Sequence, residues 1–221
     1  PVPNGETSET TASKTGYITG VAGTLGNASA AGPQRSQDMS AGMAGELQFT
    51  VMVSALEDEL GNFLTGATVT SGAGGAVTCV EPAVADGSYY CAVPDGATSD
   101  VTAAKAGYVT GTSTGLGNAD ESGAQLSHDM SDGTGGELLY TVKVSPLENE
   151  VGDTLTGATV TSGAGGAVTC VEDGIPDGSY YCAVPNGGTS AVTAALTGHV
   201  TKTVSSAGAA DESGAQLVQD M

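Results

Sequence analysis

Four cysteines carry the most definite chemistry in the chain. Cys79 and Cys91 recur as Cys170 and Cys182, each 91 residues later, with the same spacing inside each pair. Two cysteines in the same two places of each copy read as a disulfide framework made in an oxidising, extracellular compartment. Pairing within each copy, Cys79 with Cys91 and Cys170 with Cys182, is the simplest arrangement. A metal site is the weaker alternative. Zinc wants four nearby ligands, and His128 and His199 are not equivalent, because their counterparts are Gln219 and Tyr108.

The carboxylates suggest two further chemistries. Glu57-Asp58-Glu59, Glu148-Asn149-Glu150, Asp120-Glu121 and Asp211-Glu212 offer the oxygen ligands that calcium takes. The spacing of a calcium-binding helix–loop–helix motif is absent, however, and Asp58 becomes Asn149. Solvated acidic loops are the default expectation. Paired carboxylates can also be acid–base catalysts, but these fall in turns with no Ser-His or aromatic-cleft pattern beside them. Gly72-Ala73-Gly74-Gly75 lacks the Lys-Ser/Thr and the following helix of a phosphate-binding loop and reads as a hairpin turn. No catalytic residue, cofactor or metal is expected. The hydroxyls remain. Asn27-Ala28-Ser29 is an N-glycosylation sequon, and Ser and Thr cluster at Thr7–Thr15 and Thr110–Thr114.

These residues sit on a repeat. Residues 40–130 and 131–221 are two full copies, and residues 1–39 match the back part of a third, with Lys14-Thr15-Gly16-Tyr17 standing 91 before Lys105-Ala106-Gly107-Tyr108. Fixed-period similarity of this kind marks a repeat architecture. The core of each copy is thin: the chain has no Trp, two Phe and seven Tyr. Small domains with little apolar area usually need a staple. With 25 acidic and 5 basic residues the net charge is −20, yet only 14% of residues are charged, against about 25% in ordinary domains. A polyanion without a basic patch is not a binder of nucleic acid or anionic membrane. No stretch is long and apolar enough to span a bilayer.

The elements are short strands. Leu47, Phe49, Val51 and Val53 alternate with Gln48, Thr50 and Met52, the period of a half-buried strand. The second copy keeps Leu138, Tyr140, Val142 and Val144 on the inward face. Strands are expected at Leu64–Ser71, Ala76–Glu81, Ser88–Val93, Thr98–Lys105, Tyr108–Thr114 and Ala124–Met130, broken by Gly-, Asp- and Pro-rich turns. About seven strands per copy at turn spacing favour an all-β, Ig-like sandwich. In the partial copy strands are expected at Glu9–Ala12, Gly16–Val21 and, weakly, Gln34–Met39, where Arg35 replaces Leu126 and Leu217.

Leu64-Thr65-Gly66-Ala67-Thr68-Val69, Asp86-Gly87-Ser88-Tyr89, Val93-Pro94-Asp95-Gly96 and Ala106-Gly107-Tyr108-Val109 resemble the carboxypeptidase regulatory-like domains, with their transthyretin-like sandwich. They are also similar to the B-type stalk repeats of collagen adhesins. The resemblance implies a non-catalytic seven-stranded module strung in tandem on secreted or surface proteins. Those stalk repeats often carry a lysine isopeptide cross-link. Here no Lys recurs between the full copies: Lys105 meets Leu196 and Lys143 meets Met52. That job falls to the disulfide.

The expectation is therefore a structural subunit of an extracellular filament or cell-surface stalk, stapled by disulfides and glycosylated on Ser, Thr or Asn27. The alternative is an adhesin or carbohydrate-binding array. The partial copy lacks the counterparts of Leu47–Val53, Leu64–Ser71, Ala76–Glu81 and Ser88–Cys91. It would leave sheet edges open, so residues 1–39 are expected to contact a neighbouring copy in a head-to-tail polymer of the protein with itself.

Overall fold

The structure is a computed structural model describing residues 2–23, 25–29, 31–32, 34, 36–43 and 45–221. Its described residues form strands, turns and two short 3-10 turns, with no α-helix. Residues 1–39 contribute β1 (Thr10–Ala12), β2 (Tyr17–Ile18) and β3 (Gly20–Ala22). The first full copy contributes β4 (Gln48–Phe49), β5 (Val51–Leu56), β6 (Thr68–Ser71), β7 (Val77–Thr78), β8 (Tyr89–Cys91), β9 (Val101–Ala104), β10 (Gly111–Ser113) and β11 (Leu126–Met130). The second contributes β12 (Val142–Val144), β13 (Thr159–Ser162), β14 (Val168–Thr169), β15 (Val171–Glu172), β16 (Tyr180–Cys182), β17 (Val192–Ala195), β18 (Lys202–Val204) and β19 (Leu217–Gln219).

Each full copy is a two-sheet sandwich. In the first, β10-β9-β6-β7 faces β11-β5-β8, and in the second β14-β13-β17-β18 faces β15-β16-β12-β19. Pairing is antiparallel except that β11 runs parallel to β5, and β19 parallel to β12. Val51, Val53 and Cys91 from one sheet and Val69, Val101 and Ala103 from the other are buried in a common core. β-Branched residues dominate because they fit a pleated surface. Gly72-Ala73-Gly74-Gly75 forms the 3-10 turn of the β6–β7 hairpin.

The disulfides are formed, Cys79–Cys91 with a Cα–Cα distance of 4.2 Å and Cys170–Cys182 with 4.3 Å. They do not join neighbouring strands of one sheet. Cys79 follows β7, where its N–H still bonds Val69 O in the first sheet. Val80 then bridges Tyr90 in the second. The bond therefore ties the two sheets together at the edge where the chain crosses between them.

Two strand expectations need correction. The stretch 34–39 forms no strand among its described residues, and Arg35 lies outside them. β11 and β19 are held by parallel pairing with β5 and β12, and residues 1–39 contain no counterpart of those partners. The stretch Gly16–Val21 divides into β2, which pairs with β4 of the next copy, and β3, which pairs with β1. Among the described residues the outer edge of β1 has no strand on it, whereas β9 pairs there with β6. Val2 is 51% exposed, where its counterpart Val93 is fully buried.

Replacing Cys79 and Cys91 together by Ala should lower the stability of the first full copy by about 3 kcal/mol, the chain-entropy cost of releasing a loop this short. Denaturant titration of that variant checks it, with an unchanged midpoint as the contrary result.

Candidate functional site: a joint that recurs between copies

The densest recurring constellation lies between copies. Lys14-Thr15-Gly16-Tyr17 and Lys105-Ala106-Gly107-Tyr108 are tight turns closed by Tyr17 N–H to Lys14 O and Tyr108 N–H to Lys105 O. Gly16 (φ +82°) and Gly107 (φ +88°) take the left-handed conformation that glycine adopts without strain. Each turn is pressed onto the following copy. A Cβ on Gly107 would stand 2.8 Å from the Ala183 backbone.

The following copy meets the turn with a hydroxyl and a carboxylate. Thr50 Oγ1 lies 2.7 Å from Val93 O and 3.1 Å from Gly16 O, and it accepts Val93 N–H at 3.0 Å. Thr141 makes the same three contacts, at the same distances, with Val184 and Gly107. Glu121 accepts Gly16 N–H on its carboxylate at 2.6 Å and Thr19 N–H on its carbonyl at 2.7 Å. Glu212 does so for Gly107 and Thr110, each at 2.7 Å. The threonine was expected to face outward by alternation. It is buried instead, 1% exposed in both copies, because the strand is interrupted there, β4 pairing backward and β5 pairing within its own copy.

Aromatic rings run through both joints. Tyr17 contacts Phe49 at 4.7 Å between centroids and Phe49 contacts Tyr90 at 5.7 Å. Tyr108, Tyr140 and Tyr181 repeat this at 4.8 and 5.8 Å. Such pairs add about 0.5–1.5 kcal/mol beyond area burial.

The second joint is the more complete. Leu138 belongs by sequence to residues 131–221, yet it is fully buried in the core of residues 40–130 with Leu56, Leu64 and Met130. Its N–H bonds Glu57 O at 3.0 Å. The Tyr140 hydroxyl donates to Asp58 Oδ2 at 2.9 Å, and Glu59 Oε1 accepts Tyr140 N–H at 3.0 Å and Gln216 Nε2 at 2.5 Å. Burial at this joint raises the Glu59 carboxyl above the ordinary carboxylate range. Burial, then the Tyr108 hydroxyl and Asp58, pushes the Tyr140 phenol far upward. Leu47, the counterpart of Leu138, is only half-buried, since residues 1–39 supply no equivalents of Leu56 and Leu64.

The acidic loops are thus joint and turn parts. Asp58 is buried rather than solvated, 1% exposed, and accepts the N–H groups of Leu60 and Asn62. Asn149 does the same for Val151 and Asp153. Asp120 and Asp211 lock turns by accepting from Ser122 and Ser213, which lowers their carboxyls below the usual range. Among the described residues no group of three or more His, Cys, Asp or Glu is placed to hold a metal ion. Asn27 and Ser29 of the sequon are exposed, with Asn27 in a bridge to Thr7.

One arrangement imitates a catalytic dyad. His128 Nδ1 lies 2.9 Å from Ser113 Oγ and Nε2 lies 3.2 Å from Ser99 Oγ. The imidazole is buried, 1% exposed, and its counterparts are Gln37, whose amide donates to Ser8 O, and Gln219, which donates to Ser190 O. A position where Gln or His reaches the equivalent serine serves the fold. Burial lowers the pKa of His128 from 6.5, opposed by the charge of Asp100.

No protein-family model, curated protein or solved structure matches the chain. Its recurring geometry can hold copies in register.

Two outcomes follow. Gly111→Ala puts a Cβ where the Gly136 carbonyl oxygen lies, and it should weaken the second joint by about 1–3 kcal/mol, seen as faster hydrogen exchange at Val109 and Leu138 with little change at Val51. His128 binds a proton more readily unfolded than folded. Stability is full above the unfolded value of 6.5 and falls as pH drops through it towards the lower folded value. In thermal unfolding, His128→Gln should remove that loss.

Proposed function

We propose that the chain is a structural segment of an extracellular filament or cell-surface stalk, built from tandem Ig-like or transthyretin-like sandwiches stacked head to tail. The observation that carries this reading is the joint. The same glycine turn, buried threonine, carboxylate and aromatic trio meet at two successive boundaries. Rigid register between neighbours is what a load-bearing array needs, since each repeat contacts only the next.

The disulfides support an extracellular setting, because such bonds persist in oxidising compartments. No helix among the described residues is long and apolar enough to cross a membrane. Exposed Thr7, Thr10, Thr11, Thr15, Thr112 and Thr114, with Asn27, give sugar its attachment points and would let a weakly charged surface stay hydrated. The edge of β1 that carries no strand among the described residues, beside the exposed Val2 and Val21, supports contact with a neighbouring copy, and a heterologous contact that does not close gives an open filament.

An adhesin or carbohydrate-binding array would present aromatics on exposed loops. The recurring tyrosines are spent otherwise: Tyr89 and Tyr180 are buried, and Tyr90 and Tyr181 lie in the joints. The chain is read as non-enzymatic for a similar reason, the recurring threonine and glutamate of the joints being used to hold the glycine turns.

Electron microscopy of the native material should show filaments whose subunits are heavier than the 21.4 kDa sequence mass by intact mass spectrometry. Monodisperse particles would sink the filament, and an unmodified mass would sink the glycans.

A further inference from the structure

We propose that the open end of residues 131–221 is a socket for the leading segment of another repeat of this kind, of the form Glu-Leu-x-aromatic-Thr. The proposal rests on the head-to-tail reading and names its contact site. The segment is the one that begins both full copies, Glu46–Thr50 and Glu137–Thr141.

The socket is a cavity of about 500 Å³ lined by Leu147, Leu155, Ala158, Ala194, His199 and Met221. The first five of these counterparts in the preceding copy, by kind, are Leu56, Leu64, Ala67, Ala103 and Tyr108, with Met130 standing for Met221. All of them belong to, or pack on, the core that holds Leu138. The cavity is therefore the Leu138 site without its leucine. Burial changes where that vacancy predicts. Leu64, Ala103 and Met130 are 4%, 0% and 0% exposed, while Leu155, Ala194 and Met221 are only half-buried. Val200 is 95% exposed, whereas its counterpart Val109 is half-buried and donates its N–H to Leu139 O of the next copy at 2.7 Å.

The receiving turn stands ready. Gly198 has φ +88°, identical to Gly107, and His199 N–H closes onto Leu196 O at 3.0 Å, as Tyr108 N–H does onto Lys105 O. His199 keeps a flat ring where Tyr17 and Tyr108 stack. A pocket of this size and lining suits a leucine followed by an aromatic ring.

One residue departs from the template. Lys202 stands where Gly20 and Gly111 stand, and a Cβ on either glycine would overlap the backbone carbonyl of Gly45 or Gly136. A segment entering beside Lys202 must seat further out on that side than in the two internal joints. The lysine sits next to the backbone of the incoming glutamate, so its ammonium can meet that carboxylate. Lys202 weakens the fit by bulk and favours this segment over an uncharged one.

The test uses the full chain carrying ¹³C-methyl methionine and a synthetic peptide of residues 136–144. The Met221 methyl signal should shift saturably with peptide, while that of Met130, whose site is already filled, stays in place. A peptide with Leu138→Asp should leave Met221 unmoved, and Lys202→Gly in the chain should bring saturation at lower peptide concentration. The socket is overturned if neither the chain nor its Lys202→Gly variant responds up to the solubility of the peptide, or if the Asp peptide shifts Met221 equally, which would mean general stickiness. Filaments in native material together with a silent Met221 would remove the socket and leave the filament reading standing. Docking by the peptide with monodisperse native particles would do the reverse.

Discussion

A copy of this repeat cannot close its own core. The sandwich of residues 40–130 is built from Val, Ala, Leu and two cysteines, with Tyr89 its one large buried ring. Its end, between Leu56, Leu64 and Met130, is filled by Leu138 from the copy that follows. Filling a leucine-sized hole matters, since leaving one empty costs about 2–5 kcal/mol in well-packed cores. The boundary between copies is thus a shared piece of core, with no room for a flexible linker. Stability becomes a property of neighbours, the one-dimensional coupling of repeat arrays. The disulfide acts on the other weakness, tying together two sheets whose facing side chains are too small to do so alone.

The strands were legible in the sequence because alternation and turn residues are local signals. Val51 and Val53 face the core as their spacing says, and Gly72-Ala73-Gly74-Gly75 turns a hairpin. What was not legible depended on a second copy. Thr50 reads as an outward residue until Gly16 of the preceding copy stands over it. Glu121 reads as a solvated acid until the Gly16 and Thr19 N–H groups arrive. Tyr17–Ile18 and Gly20–Ala22 read as one strand because nothing in their composition marks the change of partner at Thr19. A signal did exist: glycine recurs at 16, 107 and 198, an aromatic ring follows it each time, and glutamate recurs at 121 and 212. Recurrence of residues that are poor strand formers points to a contact outside the copy.

The position occupied by Gln37, His128 and Gln219 shows how far chemistry can drift when the demand is purely geometric. In each case a nitrogen donor or acceptor reaches the serine at the start of the third-from-last strand: Ser8, Ser99 or Ser190. The amide meets the carbonyl oxygen of Ser8 and both oxygens of Ser190, while the imidazole meets the hydroxyl of Ser99. A buried polar group left unpaired costs about 1–3 kcal/mol, so the side chain at this position must be polar. Ser113, which holds the other imidazole nitrogen, has Val204 as its counterpart, and Gln219 does without it. The histidine needs a second partner because it has two ring nitrogens, and the serine at 113 supplies one.

The same reasoning explains how copies within a chain of net charge −20 pack against one another. Two groups of its carboxylates show this. Asp38, Asp120, Asp129 and Asp211 lie on exposed turns, each held as an anion by the N–H and hydroxyl of a serine two residues on. Charges so placed repel across water, where physiological salt screens them within about 8 Å. Glu121 and Glu212 instead enter the joint, where each finds the backbone N–H of a glycine turn. A carboxylate accepting an N–H makes one of the stronger hydrogen bonds and needs no lysine opposite it. Replacing either glutamate by lysine would lower the net negative charge and still break the joint, because the Gly16 or Gly107 N–H would lose its acceptor. Acidity and close packing of copies are compatible here because the joints are made from backbone, rings, a leucine and carboxylates that meet donors, Asp58, Glu59, Glu121 and Glu212 among them.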